Sequence, residues 1–333
     1  MFVTIVSFIV VFGLMVLFHE MGHFLVAKLN HIKVNEFAIG MGPRIFYKTL
    51  GETEYSLRLL PLGGFIKMEG EDEASDSPRS FSNQSPLRRI SVVIAGPAMN
   101  FLLSILLLAL IAFSVGFPTQ IIDEVQPGLP AEQSGMVAGD RIVAINGEPI
   151  DSWNEVTEVI SRSEGELSLV LERDGTSLSL AMMPEIEEGS GRRIIGISPV
   201  LEKALWSSVG YGVEQTGFII GSIFDFLGDL ISGAEVEGEI IGPIGIVGIV
   251  GEAASTGILS LAFIAAYLSI NLGIINLLPF PALDGGRILF LFFEIVRGRP
   301  IPPEKEGMAH FIGFALLMAL MVFVLYQDIM KLF

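Results

Sequence analysis

The run His19-Glu20-Met21-Gly22-His23 carries an H-E-x-x-H pattern. On a helix, four residues advance about 6 Å and turn about 400°, so both imidazoles project from one face. Ring nitrogens placed this way can share one Zn2+ at bonds of ~2.0–2.1 Å, with Glu20 beside the reacting water. The chemistry predicted is hydrolysis, with the metal as Lewis acid and Glu20 as general base. A catalytic zinc needs a third protein ligand and one open position. The chain has no cysteine and only four histidines, so thiolate ligands, a thiol nucleophile and a disulfide framework are excluded. His31 faces no obvious partner, and His310 opens an apolar run where an interfacial histidine is unremarkable. Asp284 is the stronger candidate. It lies in Asn276-Leu277-Leu278-Pro279-Phe280-Pro281-Ala282-Leu283-Asp284-Gly285-Gly286, where two prolines and a glycine pair break a helix. Backbone freed at membrane depth is tolerated only where protein or a wet cavity satisfies it. The competing reading of Asp284 is an ordinary carboxylate at a helix end.

The elements that must hold these residues are membrane helices. Apolar residues make up 51% of the 333-residue chain, and the mean hydropathy is +0.63. The apolar residues gather in uncharged runs long enough for a bilayer: Phe2 to Phe18, Ile90 to Phe117, Ala253 to Leu283 and Gly307 to Gln327. The first has no basic leader and no small-residue cleavage site, so it reads as a retained span continuing to about Leu29. Ala204 to Ile231 carries Glu214, Asp225 and Asp229 and reads as an amphipathic helix at the interface. Four spans put both termini on one side and the ends of spans 1 and 3 together on the other. A fifth span would separate Asp284 from the histidines. Residues 24–95 hold 9 Lys/Arg and 8 Asp/Glu, whereas 117–252 hold 6 and 23. The positive-inside rule therefore puts the loops after spans 1 and 3 in the cytoplasm, with the acidic segment and both termini outside. The formal charge of −17 offers no basic footprint for nucleic acid.

Two β regions lie between the spans. Within Val34 to Met68, Tyr55, Leu57 and Leu59 alternate with Glu54, Ser56 and Arg58 after a turn at Gly51, predicting a β-hairpin or small sheet, partly embedded near the active site. Its edge, with Tyr55 and Leu57, could pair with an extended substrate segment. In residues 118–200, Leu167, Leu169 and Leu171 alternate, Asp174-Gly175 makes a hairpin turn, and Leu178, Leu180 and Met182 return. The segment Ser134 to Gly147 resembles the core signature of PDZ domains. Asp151 to Ser161 would be the helix flanking the groove. Ile194, Ile195, Gly196 and Ile197 fall where a circularly permuted PDZ domain places its carboxylate-binding loop. The expected fold is thus a multi-span α-helical membrane protein of four transmembrane helices, with a membrane-associated β-hairpin and one PDZ-like domain. Its regions are 1–117 (spans 1 and 2 with the hairpin), 118–200 (PDZ), 201–252 (amphipathic helix and Gly-rich segment) and 253–333 (spans 3 and 4).

Together, the H-E-M-G-H span, the N-L-L-P-F-P-A-L-D-G-G segment and the intervening PDZ domain resemble the site-2 protease family, M50-type intramembrane zinc metalloproteases. The nearest type is the bacterial regulator-of-sigma-E (RseP-type) proteases. Gly96-Pro97-Ala98-Met99-Asn100-Phe101 and Gly242-Pro243-Ile244-Gly245-Ile246 also resemble family segments. The resemblance implies Zn2+ held by His19, His23 and Asp284, with Glu20 as general base, in the bacterial cytoplasmic (inner) membrane. It implies single-span membrane protein substrates, with anti-sigma factors and signal-peptide remnants equally open. It also implies that Asn276, with Pro279 and Pro281, holds substrate backbone. The alternative for Asn276 is a bond to a carbonyl freed at the Pro279 break, and Asn100 has the same two readings. This chain has one PDZ domain where some members have two. The competing classes are a membrane-anchored PDZ scaffold, which has no use for Glu20, and a metal transporter, which requires polar residues that spans 2 and 4 nearly lack.

Overall fold

The computed structural model describes residues 1–71, 75–187, 191–233 and 242–330. In chain order its elements are α1 (Phe2–Leu29), β1 (Val34–Leu50), β2 (Thr53–Met68), α2 (Pro86–Val115), β3 (Phe117–Val125), α3 (Pro130–Gln133), β4 (Arg141–Ile145), β5 (Glu148–Pro149), α4 (Trp153–Arg162), β6 (Leu167–Arg173), β7 (Thr176–Met182), β8 (Glu185–Ile186), β9 (Arg193–Ile194), β10 (Ile197–Glu202), α5 (Leu205–Ser232), α6 (Pro243–Thr256), α7 (Ile258–Leu277), α8 (Asp284–Arg297) and α9 (Pro303–Met330). They form two compact units, Met1–Ile111 with Val209–Phe333, and Ala112–Ser208.

In the first unit, four described helices are long and apolar enough to cross a membrane: α1, α2, α7 and most of α9. Val11 and Met15 of α1 meet Leu103 of α2, Val250 of α6 and Ala265 of α7 in one core. The expected third span, Ala253 to Leu283, is not one helix. Gly257, at φ +144°, ends α6 and starts α7, and α7 stops at Leu277 ahead of Pro279 and Pro281. A φ that side-chain-bearing residues rarely adopt and two residues without an N–H account for the two breaks. The amphipathic helix expected over 204–231 is α5. Its Ile219, Ile220 and Ile223 pack with Leu108 of α2 and Ala266 and Ile270 of α7. In the Gly-rich stretch 238–251, residues 238–241 lie outside the described residues, and α6 begins at Pro243. The first-turn amides of α6 find an acceptor far along the chain. Gly242, Ile244 and Gly245 N–H groups donate to the buried Asp328 carboxylate of α9 at 3.2, 3.0 and 3.3 Å. That satisfies orphan donors that a bilayer could not.

The expected β element is present as a small sheet: each strand of the hairpin bends, and the pair makes four rungs. Residues 34–39 pair with 64–68 on one side and 54–57 on the other, and 46–50 pair with 53–57. Gly40, Gly42 and Gly63, all at positive φ, sit at the bends. The outer rungs are therefore 64–68 and 46–50. This corrects the expectation for Tyr55 and Leu57. Tyr55 pairs with both Phe37 and Lys48, and Leu57 with both Ile39 and Phe46, so neither offers a free backbone edge. Tyr55 instead packs its ring near Phe24 of α1 and Phe37.

The second unit is an antiparallel sheet in the order β10-β3-β4-β6-β7, with β5 on β4. Leu167, Leu169 and Leu171 are fully buried with Ile122, Ile142 and Ile145 beneath Val156 and Ile160 of α4. The expected turn stands at Asp174 and Gly175, both at positive φ. Asp140, fully buried, takes Arg173 Nε and Nη2 at 2.6 and 2.8 Å and the Val137 amide at 2.9 Å. Arg173 holds the Asp140 carboxyl below the usual carboxylate range. Among Ile194–Ile197, Ile195 belongs to the core and cannot present its side chain to a ligand. Gly196, at φ +82°, is pressed against Leu129, and Ile197 starts β10, an end strand of the sheet.

Candidate metal centre

α1 carries Glu20 and the two histidines on a turn where it meets α2. Gly22 of α1 and Gly96 of α2 make the meeting close. A Cβ on Gly22 would stand 2.1 Å from the Ala95 carbonyl oxygen, and one on Gly96 would stand 2.3 Å from His23 Nε2 and 2.9 Å from His19 Cε1. The imidazoles thus lie flush on a helix surface that tolerates no side chain. His23 Nδ1–H donates to the Val92 carbonyl of α2 at 2.9 Å. That bond leaves the Nε2 lone pair facing the site.

His19 is held by Asn100, which is fully buried on α2. The Asn100 amide lies 3.2 Å from His19 Nδ1, and its Oδ1 has no hydrogen-bond partner. Either end of an amide fits such a place. With Oδ1 toward the ring it accepts His19 Nδ1–H, and His19 Nε2 is then free as a donor atom for a metal. Ser269 Oγ–H of α7 donates to the Asn100 carbonyl at 2.8 Å and ties the three helices together. This corrects the reading of Asn100 as a substrate contact, because its side chain is closed off from anything but the histidine.

Asp284 is the first residue of α8. Gly285 and Gly286 let that helix start against the end of α7, where a Cβ would lie 2.2 Å from the Leu278 oxygen and 2.4 Å from the Phe280 oxygen. The placement brings Asp284 Oδ2 to 3.2 Å from His19 Nε2 and 3.5 Å from His23 Nε2, with the two Nε2 atoms 3.1 Å apart. Ligands on a tetrahedral centre with bonds of ~2.0–2.1 Å stand about 3.3–3.4 Å from one another. The triangle has that size, its three atoms are of the kinds that can ligate a metal, and it is the one such group of His, Asp and Glu among the described residues. Asp284 Oδ2 is buried without a hydrogen-bond partner, so the residues present fit a zinc ion.

Glu20 accepts no hydrogen bond from any described residue. Its side chain lines a narrow crevice between α1 and the hairpin with Val16, Leu17, Phe37, Ala38, Ile39, Gly63 and Gly64. Gly64 is on the outer rung, and a Cβ there would fall 3.2 Å from Glu20 Cγ. Asn276, near the end of α7, makes no side-chain hydrogen bond among the described residues. Pro279 is exposed and Pro281 half-buried in the irregular segment before Asp284. The structure thus brings His19, Glu20, His23 and Asp284 together, adds Asn100 behind them, and aligns a strand edge with Glu20. Three contributors were not picked out from sequence for these roles: Gly96, Gly64 and His310, the last of which accepts the Ala282 amide. A glycine in an apolar helix, a glycine in a strand and a lone histidine at the start of a span carry no distinguishing local pattern.

The family model described as Peptidase family M50 matches residues 7–320. The zinc metalloprotease RasP of Geobacillus kaustophilus is 36% identical, with 99% of this chain and 98% of that one covered. The regulator of sigma-W protease RasP of Bacillus subtilis is 34% identical, with 99% of each chain covered. The solved PDZ domain of the SdrC-like protein from Listeria monocytogenes covers 26% of this chain at 20% identity and a TM-score of 0.23.

Proposed function

The chain belongs to peptidase family M50, and from that premise we propose that it is a multi-pass intramembrane zinc metalloprotease of the site-2 type, hydrolysing peptide bonds within the transmembrane segments of single-span membrane proteins. The observation that carries this reading is the convergence of His19 Nε2, His23 Nε2 and Asp284 Oδ2 beside a Glu20 that lines a crevice at a strand edge. In this reading His19, His23 and Asp284 hold the zinc. When bound, zinc supplies a Lewis acid that polarises the scissile carbonyl and acidifies water at the site.

The chain's own residues do the rest. Asn100 and the Val92 carbonyl fix the ring orientations. The outer rung at Gly64–Met68 takes the substrate as an added strand, giving partners to amides that leave their helix. Asn276 with Pro279 and Pro281 holds the far side of that segment. Glu20 takes a proton from the attacking water and delivers it to the leaving amine. Both termini and the PDZ domain lie outside the cytoplasm in this reading, supported by the charge asymmetry between 24–95 and 117–252. The PDZ domain then screens the outer portions of substrates, with the edge of β10 from Ile197 as its peptide-binding groove, beside Ile194 and Gly196.

The test is single-turnover cleavage of a single-span substrate by zinc-loaded Glu20→Gln. The variant keeps its zinc and still docks substrate, while turnover falls by at least ~10²–10⁴. Near-equal rates in variant and wild type would sink Glu20 as the base. No cleavage by either, with zinc and peptide still bound, would favour a non-proteolytic PDZ scaffold.

A further inference from the structure

Four described residues other than glycine have positive φ: His31, Asn146, Asp174 and Ala282. Three are of the types whose polar side chains tolerate that region. Ala282, at φ +82°, has no such compensation, and it lies two residues before Asp284. A strained backbone of this kind persists only when its surroundings over-determine it.

The surroundings come from α9. The Ala282 N–H donates to His310 Nδ1 at 2.9 Å. Because Nδ1 accepts, the neutral ring carries its proton on Nε2, a buried atom without a hydrogen-bond partner that stands 3.9 Å from Glu306 Oε1. The ring packs on Phe290 of α8 at 5.6 Å between centroids. One turn further along α9, Gly313 lets the helix close on the same loop, since a Cβ there would lie 2.2 Å from the Pro281 oxygen. Leu283 N–H turns back to the Phe280 carbonyl at 3.1 Å, so the segment is a tight turn anchored from outside at one amide.

We propose that His310 is a positioning residue for the metal centre: by accepting the Ala282 amide it holds the left-handed turn that aims Asp284 at His19 and His23. The proposal rests on reading those three residues as the zinc ligands. Without the acceptor, the amide is left unpaired in an apolar setting and Ala282 relaxes toward negative φ, which rotates the start of α8 and withdraws the carboxylate.

The experiment follows Zn2+ release to a chelator from the full-length, zinc-loaded protein in detergent. Wild type, Asp284→Asn, His310→Phe, His310→Gln and the double variant His310→Phe/Ala282→Gly are compared. His310→Phe keeps an aromatic ring against Phe290 but has no acceptor, and it releases zinc about tenfold faster, the scale of one buried hydrogen bond. His310→Gln offers an amide oxygen and retains zinc near the wild-type rate. Glycine at 282 has no penalty at positive φ, so the double variant recovers most of the loss. Wild-type release from His310→Phe beside fast release from Asp284→Asn would overturn the positioning role alone. Equal defects in the Phe, Gln and double variants would overturn it too, since the ring would then act through packing. Release from Asp284→Asn no faster than wild type would overturn the ligand assignment and the positioning role with it.

Discussion

At the scale of single residues, the centre depends on atoms that are absent as much as on those present. Gly96 faces both imidazoles, and no rotamer of a larger residue avoids them because the obstruction begins at Cβ. Gly96→Ala is therefore expected to lower zinc affinity ~10–100-fold, the range typical of disturbing the residues that orient ligands. Helix insertion should be unaffected, because alanine is the better helix former. Metal content after dialysis against graded chelator measures this, and unchanged affinity would show that α1 and α2 stand further apart than these contacts imply. The same geometry separates the roles of neighbouring polar groups. Asn100 is sealed behind His19, whereas Glu20, with no hydrogen-bond partner among the described residues, lines the crevice.

At the scale of elements, the hairpin and the sheet of the second unit make separate predictions. Gly64 sits on an outer rung, where a Cβ would meet the Ala38 carbonyl oxygen at 2.9 Å and Val16 and Glu20 at 3.2 Å. Gly64→Val presses on the Ala38 carbonyl and crowds Glu20 in the crevice, away from His19, His23 and Asp284, so cleavage should fall by about tenfold or more while zinc content stays at the wild-type level. Loss of zinc in that variant would mean the hairpin supports the metal site and not the substrate. In the second unit, Arg173 lowers the Asp140 carboxyl below its usual range. A carboxylate with a depressed folded pKa contributes stability above its unfolded value, near ~3.9, and loses it as pH falls through the folded value. Asp140→Asn should thus destabilise the sheet at neutral pH, and its difference from wild type should shrink only below about pH 4. Limited proteolysis of the full chain across pH reads this out, and a pH-independent difference would point to the Val137 contact and not the charge.

At the scale of the whole molecule, the two units divide the work in the proposed reading: one holds the chemistry, and the other screens what reaches it. Replacing residues 118–200 by a short flexible linker should leave cleavage of substrates with short outer tails within a few-fold of wild type. Cleavage of substrates with bulky outer domains should rise. A competition assay between the two substrate kinds measures the change, and loss of cleavage for both kinds with zinc retained would contradict the screening role. The α6 anchor also belongs to this scale, since Asp328 near the end of the described chain satisfies amides that begin at Gly242.

Much of this protein was legible in its residues because the signals are local and periodic. The H-E-x-x-H turn, the four apolar helices, the Asp174-Gly175 turn and the alternating leucines of 167–171 need only helix or strand geometry and the length of a bilayer. Span parity even allowed Asp284 to be paired with the histidines. Tertiary structure decided what depends on contact between distant segments. It gave the hairpin four rungs, which moved its free edges away from Tyr55 and Leu57, because the bends at Gly40, Gly42 and Gly63 are set by what they fold against. It buried Asn100 behind His19, placed Gly96 beneath the rings, and brought His310 to the Ala282 amide. No spacing rule connects residues 19, 100, 284 and 310; only the packing of α1, α2, α8 and α9 into one unit does.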